Sequence, residues 1–178
     1  MTLLKSLMRI QGLSGLRLVG GTALALQIGH RKSIDLDLFG TLEIDEYELI
    51  SLLKESGKVS QLNLTSNIKS YLINDVKVDI VNYPYDWISP CIKKDELRLA
   101  GMKDIAAMKL AAITGRETKK DFIDIYFLLN IYKLREMIQM YGQKFSEGSE
   151  FMVLRSLGYF EDAETDPIYS QAPASGIT

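Results

Sequence analysis

The spacing of apolar residues divides the chain into a strand-rich first part and a helical second part. Apolar residues that alternate with polar ones predict a β-strand, whereas apolar residues three or four apart predict an amphipathic helix. The alternating pattern predicts strands at residues 16–19, 34–39, 60–65, 69–73 and 76–83. The helical pattern predicts helices at residues 2–11, 22–28, 45–56, 103–114, 119–131, 134–141 and 149–157. This order indicates an α+β fold, in which a small mixed β-sheet is flanked by helices and followed by a helical C-terminal half.

Turn residues refine these boundaries. Gly20 and Gly21 end the first strand, and Thr22 is predicted to cap the helix that follows. Asn74 and Asp75 predict a tight turn between the last two strands. We therefore expect residues 1–100 to form the core sheet and its helices, residues 101–160 to add helices to the same site, and residues 161–178 to form a tail.

Composition limits the compartment and the partners. The net charge of −2 gives no overall basic field for nucleic acid or membrane. The single cysteine excludes an internal disulfide and fits a reducing compartment. No signal peptide or membrane-spanning run is evident, so we expect a cytoplasmic protein with no membrane partner. Charge is nevertheless uneven, because residues 93–120 contain eight Lys or Arg against four Asp or Glu, whereas residues 143–166 contain two basic and six acidic residues.

Three aspartates on two predicted strands form the first candidate site. Asp35 and Asp37 are two residues apart, so a strand places both carboxylates on the same face. Like charges this close need a cation between them, and Mg²⁺ bound by a few carboxylates together with substrate phosphates is a common solution. Asp79, in the sequence VKVDIV, adds a carboxylate from a second strand. A solvent-exposed edge strand would explain the same Asp-x-Asp spacing without a metal.

The sequence Gly20-Gly21-Thr22 provides the complementary half of this candidate site. Glycines let backbone N–H groups approach phosphate oxygens, a threonine hydroxyl is a further donor, and a helix N-terminus favours anions. A Gly-Gly pair before a helix is often only a turn. The close succession of this pair and the Asp-x-Asp sequence favours a bound nucleoside triphosphate.

Several segments resemble the AbiEii/AbiGii-type nucleotidyltransferases, which belong to the polymerase-β-like superfamily. The resemblance begins with GGTALAL and GHRKSIDLDLF, continues in VKVDIV, and extends through DIAAMKLAAITGRETKKDFIDIYFLL. Many members of this family are toxins of bacterial toxin–antitoxin or phage-defence systems. The resemblance therefore implies a polymerase-β-like fold, Mg²⁺ or Mn²⁺ as the cofactor, an NTP substrate and a cognate antitoxin.

The resemblance also implies roles for the matching residues. Asp35, Asp37 and Asp79 would be the metal ligands, and Asp79 corresponds to the carboxylate that serves as a base in polymerase-β-like enzymes. Lys109 would meet the nucleotide phosphates, and it also stands out by itself because it interrupts an apolar helical stripe. An exposed lysine would explain the same position. The acidic positions of the helical motif would be Asp121 and Asp124.

The remaining matching residues belong to the nucleotide side of the site. Gly20, Gly21 and Thr22 would contact the triphosphate, and Arg31 and Ser33 would support the carboxylate strand next to it. His30 is interpreted as a structural hydrogen-bond donor.

These features predict a metal-dependent transfer of NMP from an NTP to a hydroxyl group, with release of pyrophosphate. The basic stretch at residues 93–120 favours RNA, such as a tRNA end, as the acceptor, and a protein acceptor is the alternative. A different class of function remains open at this point: a catalytically silent nucleotidyltransferase-like module that binds a nucleotide or a partner protein.

Overall fold

The computed structural model describes residues 2–116 and 118–159, so the predicted tail at residues 161–178 lies outside the described part of the chain. The helices are α1 (Thr2–Arg9), α2 (Gly20–Ile28), α3 (Glu46–Lys54), α4 (Met102–Gly115), α5 (Lys119–Leu129), α6 (Leu134–Lys144) and α7 (Glu150–Ser156). The strands are β1 (Leu16–Leu18), β2 (Leu36–Gly40), β3 (Val59–Leu64), β4 (Ile68–Ile73), β5 (Val76–Asn82), β6 (Ile92–Lys94) and β7 (Leu97–Leu99). Within residues 2–116 and 118–159, no helix is long and apolar enough to cross a membrane.

The strands form one mixed sheet in the order β3-β4-β5-β2-β1-β7-β6. β2 runs parallel to β5 and antiparallel to β1, and β1 runs parallel to β7. The predicted α+β fold with a mixed sheet is thus confirmed. The β6–β7 hairpin was not predicted, because its strands have only three residues each and its turn consists of the charged pair Asp95 and Glu96, which both adopt positive φ angles.

A single apolar cluster packs the sheet against the helices before and after it in the chain. It includes Leu18, Leu38 and Ile80 of the sheet together with Ile105 and Leu110 of α4, all at most 1% exposed. Full burial of such a side chain stabilises the fold by roughly 1.5–3 kcal/mol. The C-terminal helices are therefore packed on the sheet through a shared core.

A buried ion pair adds a polar connection between these parts. Lys144 Nζ at the end of α6 lies 2.9 Å from Asp104 Oδ1 in α4, and both side chains are fully buried. Lys144 also donates to the main-chain oxygen of Asp86, while Asp104 accepts from the main-chain N–H groups of Ile88 and Ser89. We define these residues as the 104–144 clamp, since they hold α4, α6 and the 83–90 loop together.

Two local predictions need correction. Helix α2 begins at Gly20 with Val19 as its N-cap residue, so Thr22 lies inside the first turn and does not cap it. Strand β2 begins at Leu36, so Asp35 precedes the strand and only Asp37 lies within it. The Asn74–Asp75 turn is confirmed, with both residues at positive φ.

Candidate active site

Asp37 and Asp79 are direct neighbours in the sheet. The parallel pairing of β2 with β5 places them opposite each other, with their Cα atoms in register. Side chains that share a register position project from the same face of a sheet. The structure therefore brings together two of the three predicted carboxylates on adjacent strands.

Asp35 is positioned by the first turn of α2. The Thr22 hydroxyl donates to the main-chain oxygen of Asp35 and lies 2.8 Å from the Ser33 hydroxyl. Thr22 is itself only 7% exposed. Its side chain thus anchors the segment that enters β2, a contact that the family resemblance did not indicate.

Gly20 is required by both its backbone and its surroundings. Its φ of +67° lies in the left-handed region, and a Cβ atom placed there would approach within 2.5 Å of Asp37 Oδ2. A side chain at this position would therefore be strained and would also collide with the carboxylate. The N-terminus of α2 consequently lies directly against Asp37, and its first amides have no carbonyl partners within the helix.

The position of Asp37 in this pair changes its ionisation. Burial, followed by the negative charge of Asp79, raises the pKa of Asp37 from 3.8 to about 6, although Lys109, Arg116 and Lys77 partly oppose this rise. Asp79 Oδ2 lies 2.7 Å from Lys77 Nζ. Its second oxygen, Oδ1, is buried and has no hydrogen-bond partner within the described residues. On this face of the sheet, Lys77 pairs with one oxygen of Asp79, and the negative charge of the two carboxylates is therefore only partly neutralised.

These properties fit a divalent cation shared with a substrate. Within the described residues, no three His, Cys, Asp or Glu side chains are arranged to hold a metal ion by themselves. Mg²⁺ usually takes only one or two carboxylates from a protein and completes its shell with water and phosphate oxygens. The unpartnered Oδ1 of Asp79, beside the Asp37 carboxylate on the neighbouring strand, fits such an arrangement.

Lys109 is buried between two carboxylates on the helical side of the site. Its Nζ is 2.6 Å from Asp121 Oδ1 and 2.7 Å from Asp124 Oδ2, and the residue is only 6% exposed. Asp121 also accepts hydrogen bonds from Thr118 and Arg116. The interpretation of Lys109 as a surface lysine is therefore wrong. Its ion pairs with Asp121 and Asp124 connect α4 to α5.

Asp124 connects this helical pair to the segment before β2. It accepts two hydrogen bonds from Arg31, through Nε at 2.6 Å and Nη2 at 2.9 Å, and one from His30 Nε2 at 2.6 Å. Burial alone would raise the pKa of Asp124, but the hydrogen bonds from His30 and Arg31 and the charge of Lys109 hold it well below its usual range. The interpretation of His30 as a structural donor is confirmed.

Gly21 explains how Arg31 reaches this position. A Cβ atom on Gly21 would lie 1.8 Å from Arg31 Nη2, so only glycine leaves room for the guanidinium group. The structure thus places Arg31 as a support between α2 and α5, and Ser33 as a support beside Thr22.

Lys77 is the residue of this site that sequence reasoning missed. It precedes Asp79 by two residues within β5, so the alternation argument that was applied to Asp35 and Asp37 would also have placed Lys77 beside Asp79. The aromatic residues near Pro84, in contrast, pack on one another and on Lys144.

The chain is similar in sequence or structure to several known proteins. An uncharacterized protein of Aquifex aeolicus strain VF5 is 33% identical over 156 residues, which cover 84% of this chain and 75% of that protein. JHP933 from Helicobacter pylori has a similar structure, with a TM-score of 0.57, 17% identity and 90% of each chain covered. MenT4, a nucleotidyltransferase toxin from Mycobacterium tuberculosis H37Rv, has a TM-score of 0.55 at 16% identity, covering 79% of this chain and 60% of that one. At these identities the two structures show a common fold.

A family model gives the assignment. The model described as "Nucleotidyl transferase AbiEii toxin, Type IV TA system" matches residues 2–173, nearly the whole chain. This match confirms the resemblance that GGTALAL, GHRKSIDLDLF and VKVDIV indicated, and it decides for an enzyme over a silent module. The chain therefore belongs to the AbiEii nucleotidyltransferase toxin family and is a nucleotidyltransferase.

Proposed function

We propose that this nucleotidyltransferase transfers NMP from an NTP to a hydroxyl group of an RNA, and that the transfer depends on Mg²⁺ or Mn²⁺. Membership of a toxin–antitoxin family implies the NTP substrate and a cognate antitoxin. The observation that supports the metal and the reaction best is the in-register pair of Asp37 and Asp79 beside the N-terminus of α2.

The phosphate end of the NTP fits the first turn of α2. Val19 provides no side-chain cap, so the amides that follow it are free to donate to phosphate oxygens. Gly20 and Gly21 bring this backbone close to Asp37 without a side chain in between. We propose that the backbone at residues 20–22 orients the triphosphate, while the Thr22 side chain holds Asp35 in place.

Asp37 and Asp79, the pair that the sheet brings together, would hold the divalent cation, and Asp35 at the entry to β2 stays the predicted third ligand. When bound, the cation would neutralise charge on the triphosphate and lower the pKa of the attacking hydroxyl. Asp79, the position that corresponds to the base of polymerase-β-like enzymes, would accept the proton of the acceptor hydroxyl. The bond between the α phosphorus and the bridging oxygen then breaks, a new bond from the hydroxyl oxygen to the α phosphorus forms, and pyrophosphate leaves.

Lys109 would assist from the helical side of the site. Its charge reaches Asp37 strongly enough to oppose the rise in the pKa of that carboxyl. Asp121 and Asp124 hold its ammonium group in one position, so little reorganisation is needed when a phosphate approaches. These two carboxylates occupy two of the three ammonium N–H donors of Lys109, so the third would make the proposed contact with the triphosphate.

The structure divides the basic stretch that favours RNA into separate groups. Arg98 is occupied inside the fold, where it donates to the main-chain oxygens of residues 8, 13 and 16. Lys93 and Lys94 lie on β6 at the edge of the sheet, three strands away from β2. Lys119 and Lys120 begin α5, immediately before Asp121. We propose that the α5 lysines are the ones that contact the RNA backbone.

This assignment provides matched charge-reversal variants. Lys119→Glu with Lys120→Glu should reduce transfer to RNA severalfold and flatten its salt dependence, because two phosphate contacts are lost. Lys93→Glu with Lys94→Glu changes the net charge equally and should have little effect. The measurement is transfer from each labelled NTP to total RNA in the presence of Mg²⁺, with Asp37→Asn as the inactive reference. Label that appears only on protein would refute the RNA acceptor and leave the transferase reaction intact.

A further inference from the structure

Lys77 has an unusual position for a lysine of a nucleotide site. Its ammonium group lies 2.7 Å from Asp79 Oδ2, on the face of the sheet that also presents Asp37. The Lys77 side chain is 48% exposed, whereas that of Asp79 is 17% exposed. The cation is therefore attached to the carboxylate from the solvent side, by a long side chain that can move away.

The contact leaves the carboxylates only partly satisfied. Lys77 covers one oxygen of Asp79, while the other oxygen stays buried without a partner among the described residues. A surface ion pair of this kind contributes little stability, so its loss costs little. A divalent cation that approached both carboxylates would meet the ammonium group of Lys77 at one of the oxygens it needs.

We propose that Lys77 is a tethered counter-cation of Asp79, which a divalent cation must displace, so that the metal enters the site favourably only together with a triphosphate. The proposal rests on the proposed metal-dependent function. A bare cation breaks the Lys77–Asp79 pair and leaves two positive charges side by side. A cation that arrives with a triphosphate brings phosphate oxygens, and these give the displaced ammonium group a new partner. Binding of metal and of nucleotide is then positively coupled through Lys77.

The test is calorimetric titration with Mn²⁺, first alone and then with NTP analogues that have a methylene bridge between the α and β phosphates. Lys77→Met removes the charge and keeps a similar apolar length. Lys69→Met is the matched control, since Lys69 pairs with Ile80 on the neighbouring strand and points to the opposite face. We expect Lys77→Met to bind Mn²⁺ alone roughly 2–5-fold more tightly than the parent protein, because a competing ion pair of this type is gone. The same variant should show weaker coupling between Mn²⁺ and the analogue.

The Mn²⁺ affinities of the variants separate the role of Lys77 from the existence of the metal site. Equal Mn²⁺ affinity in Lys77→Met and the parent protein, or an equal gain in Lys69→Met, would overturn the role of Lys77. If Asp79→Asn abolishes Mn²⁺ binding in that case, the metal site of the proposed function still stands. If neither the parent protein nor Lys77→Met binds Mn²⁺ with or without an analogue, both the metal site and the role of Lys77 are refuted. Thermal unfolding of each variant verifies that it is folded.

Discussion

Replacement of Asp37 by asparagine should stabilise the folded protein while it abolishes transfer. Burial and the nearby charge of Asp79 raise the pKa of Asp37 from 3.8 to about 6, so the folded state holds this proton more tightly than the unfolded chain does. Between about pH 4 and pH 6 the folded state therefore binds more protons, and the free energy of unfolding decreases as the pH rises through that window. Above it, the ionised carboxylate is a full cost to the fold, and asparagine avoids this cost.

The magnitude follows from the size of the pKa change. The pKa differs from its ordinary value by about 2, and each pKa unit corresponds to 1.36 kcal/mol, so the cost at neutral pH is at most about 3 kcal/mol. For a chain of this size, a stabilisation of 1 kcal/mol raises Tm by roughly 2–4 °C. We expect Asp37→Asn to raise Tm by several degrees at pH 7.5, and this advantage should fall to about a third of that value near pH 4.5.

The assay is thermal and urea unfolding at a series of pH values from 4.5 to 7.5, without metal or nucleotide. Asp75→Asn is the control, because it makes the same chemical change in the exposed β4–β5 turn, at a positive φ that asparagine tolerates. Added Mn²⁺ and NTP should stabilise the parent protein and reverse the order of the two proteins. An Asp37→Asn variant that is no more stable at pH 7.5, or whose advantage stays constant toward pH 4.5, would refute this electrostatic account of the site.

Two further predictions concern the buried charges between α4 and α5. Lys109→Ala leaves the carboxylates of Asp121 and Asp124 without their shared cation, so it should lower the free energy of unfolding by roughly 3–5 kcal/mol. Urea denaturation measures this difference, and an unchanged midpoint would show that the ion pairs do not form. Asp124→Asn removes the negative charge and replaces one of the two acceptor oxygens that Arg31, His30 and Lys109 share, so it should destabilise the protein by roughly 2–4 kcal/mol at pH 7. The pKa of Asp124 is held below its usual range, so its contribution to the stability of the fold is present above pH 4 and is lost only as the pH falls further. The difference in stability between Asp124→Asn and the parent protein should therefore shrink only in strong acid.

The sequence is enough to identify the carboxylates but insufficient to show how they meet. Alternation marks Asp37 and Asp79 as members of strands, since a period of two is a local property. Their juxtaposition depends on the parallel pairing of β2 with β5, which three intervening elements separate along the chain. Long-range pairing of this kind is set by the whole core, and no short segment encodes it.

Buried polar contacts are a second feature that the sequence does not reveal. Lys109 was recognised because it interrupts an apolar stripe, but its two carboxylate partners belong to another helix. Thr22 is a residue type that commonly caps helices, yet its hydroxyl donates to the main chain of the segment before β2. Asp104 and Lys144 each look like ordinary charged helix residues, because forty residues separate the two partners. Only the assembled fold shows that such groups are paired.

The 104–144 clamp has a consequence for how a newly synthesised chain becomes active. Asp104 leaves the ribosome well before Lys144, and until then its carboxylate has the N–H groups of Ile88 and Ser89 as donors but no cation. Burial of a charge without its partner costs several kcal/mol. Helix α4, which contains both Asp104 and Lys109, should therefore settle on the sheet only after α6 has emerged. A chain that is released early or cleaved before residue 144 should lack a closed active site. For a toxin, this order of events would keep incomplete chains harmless to the cell that makes them.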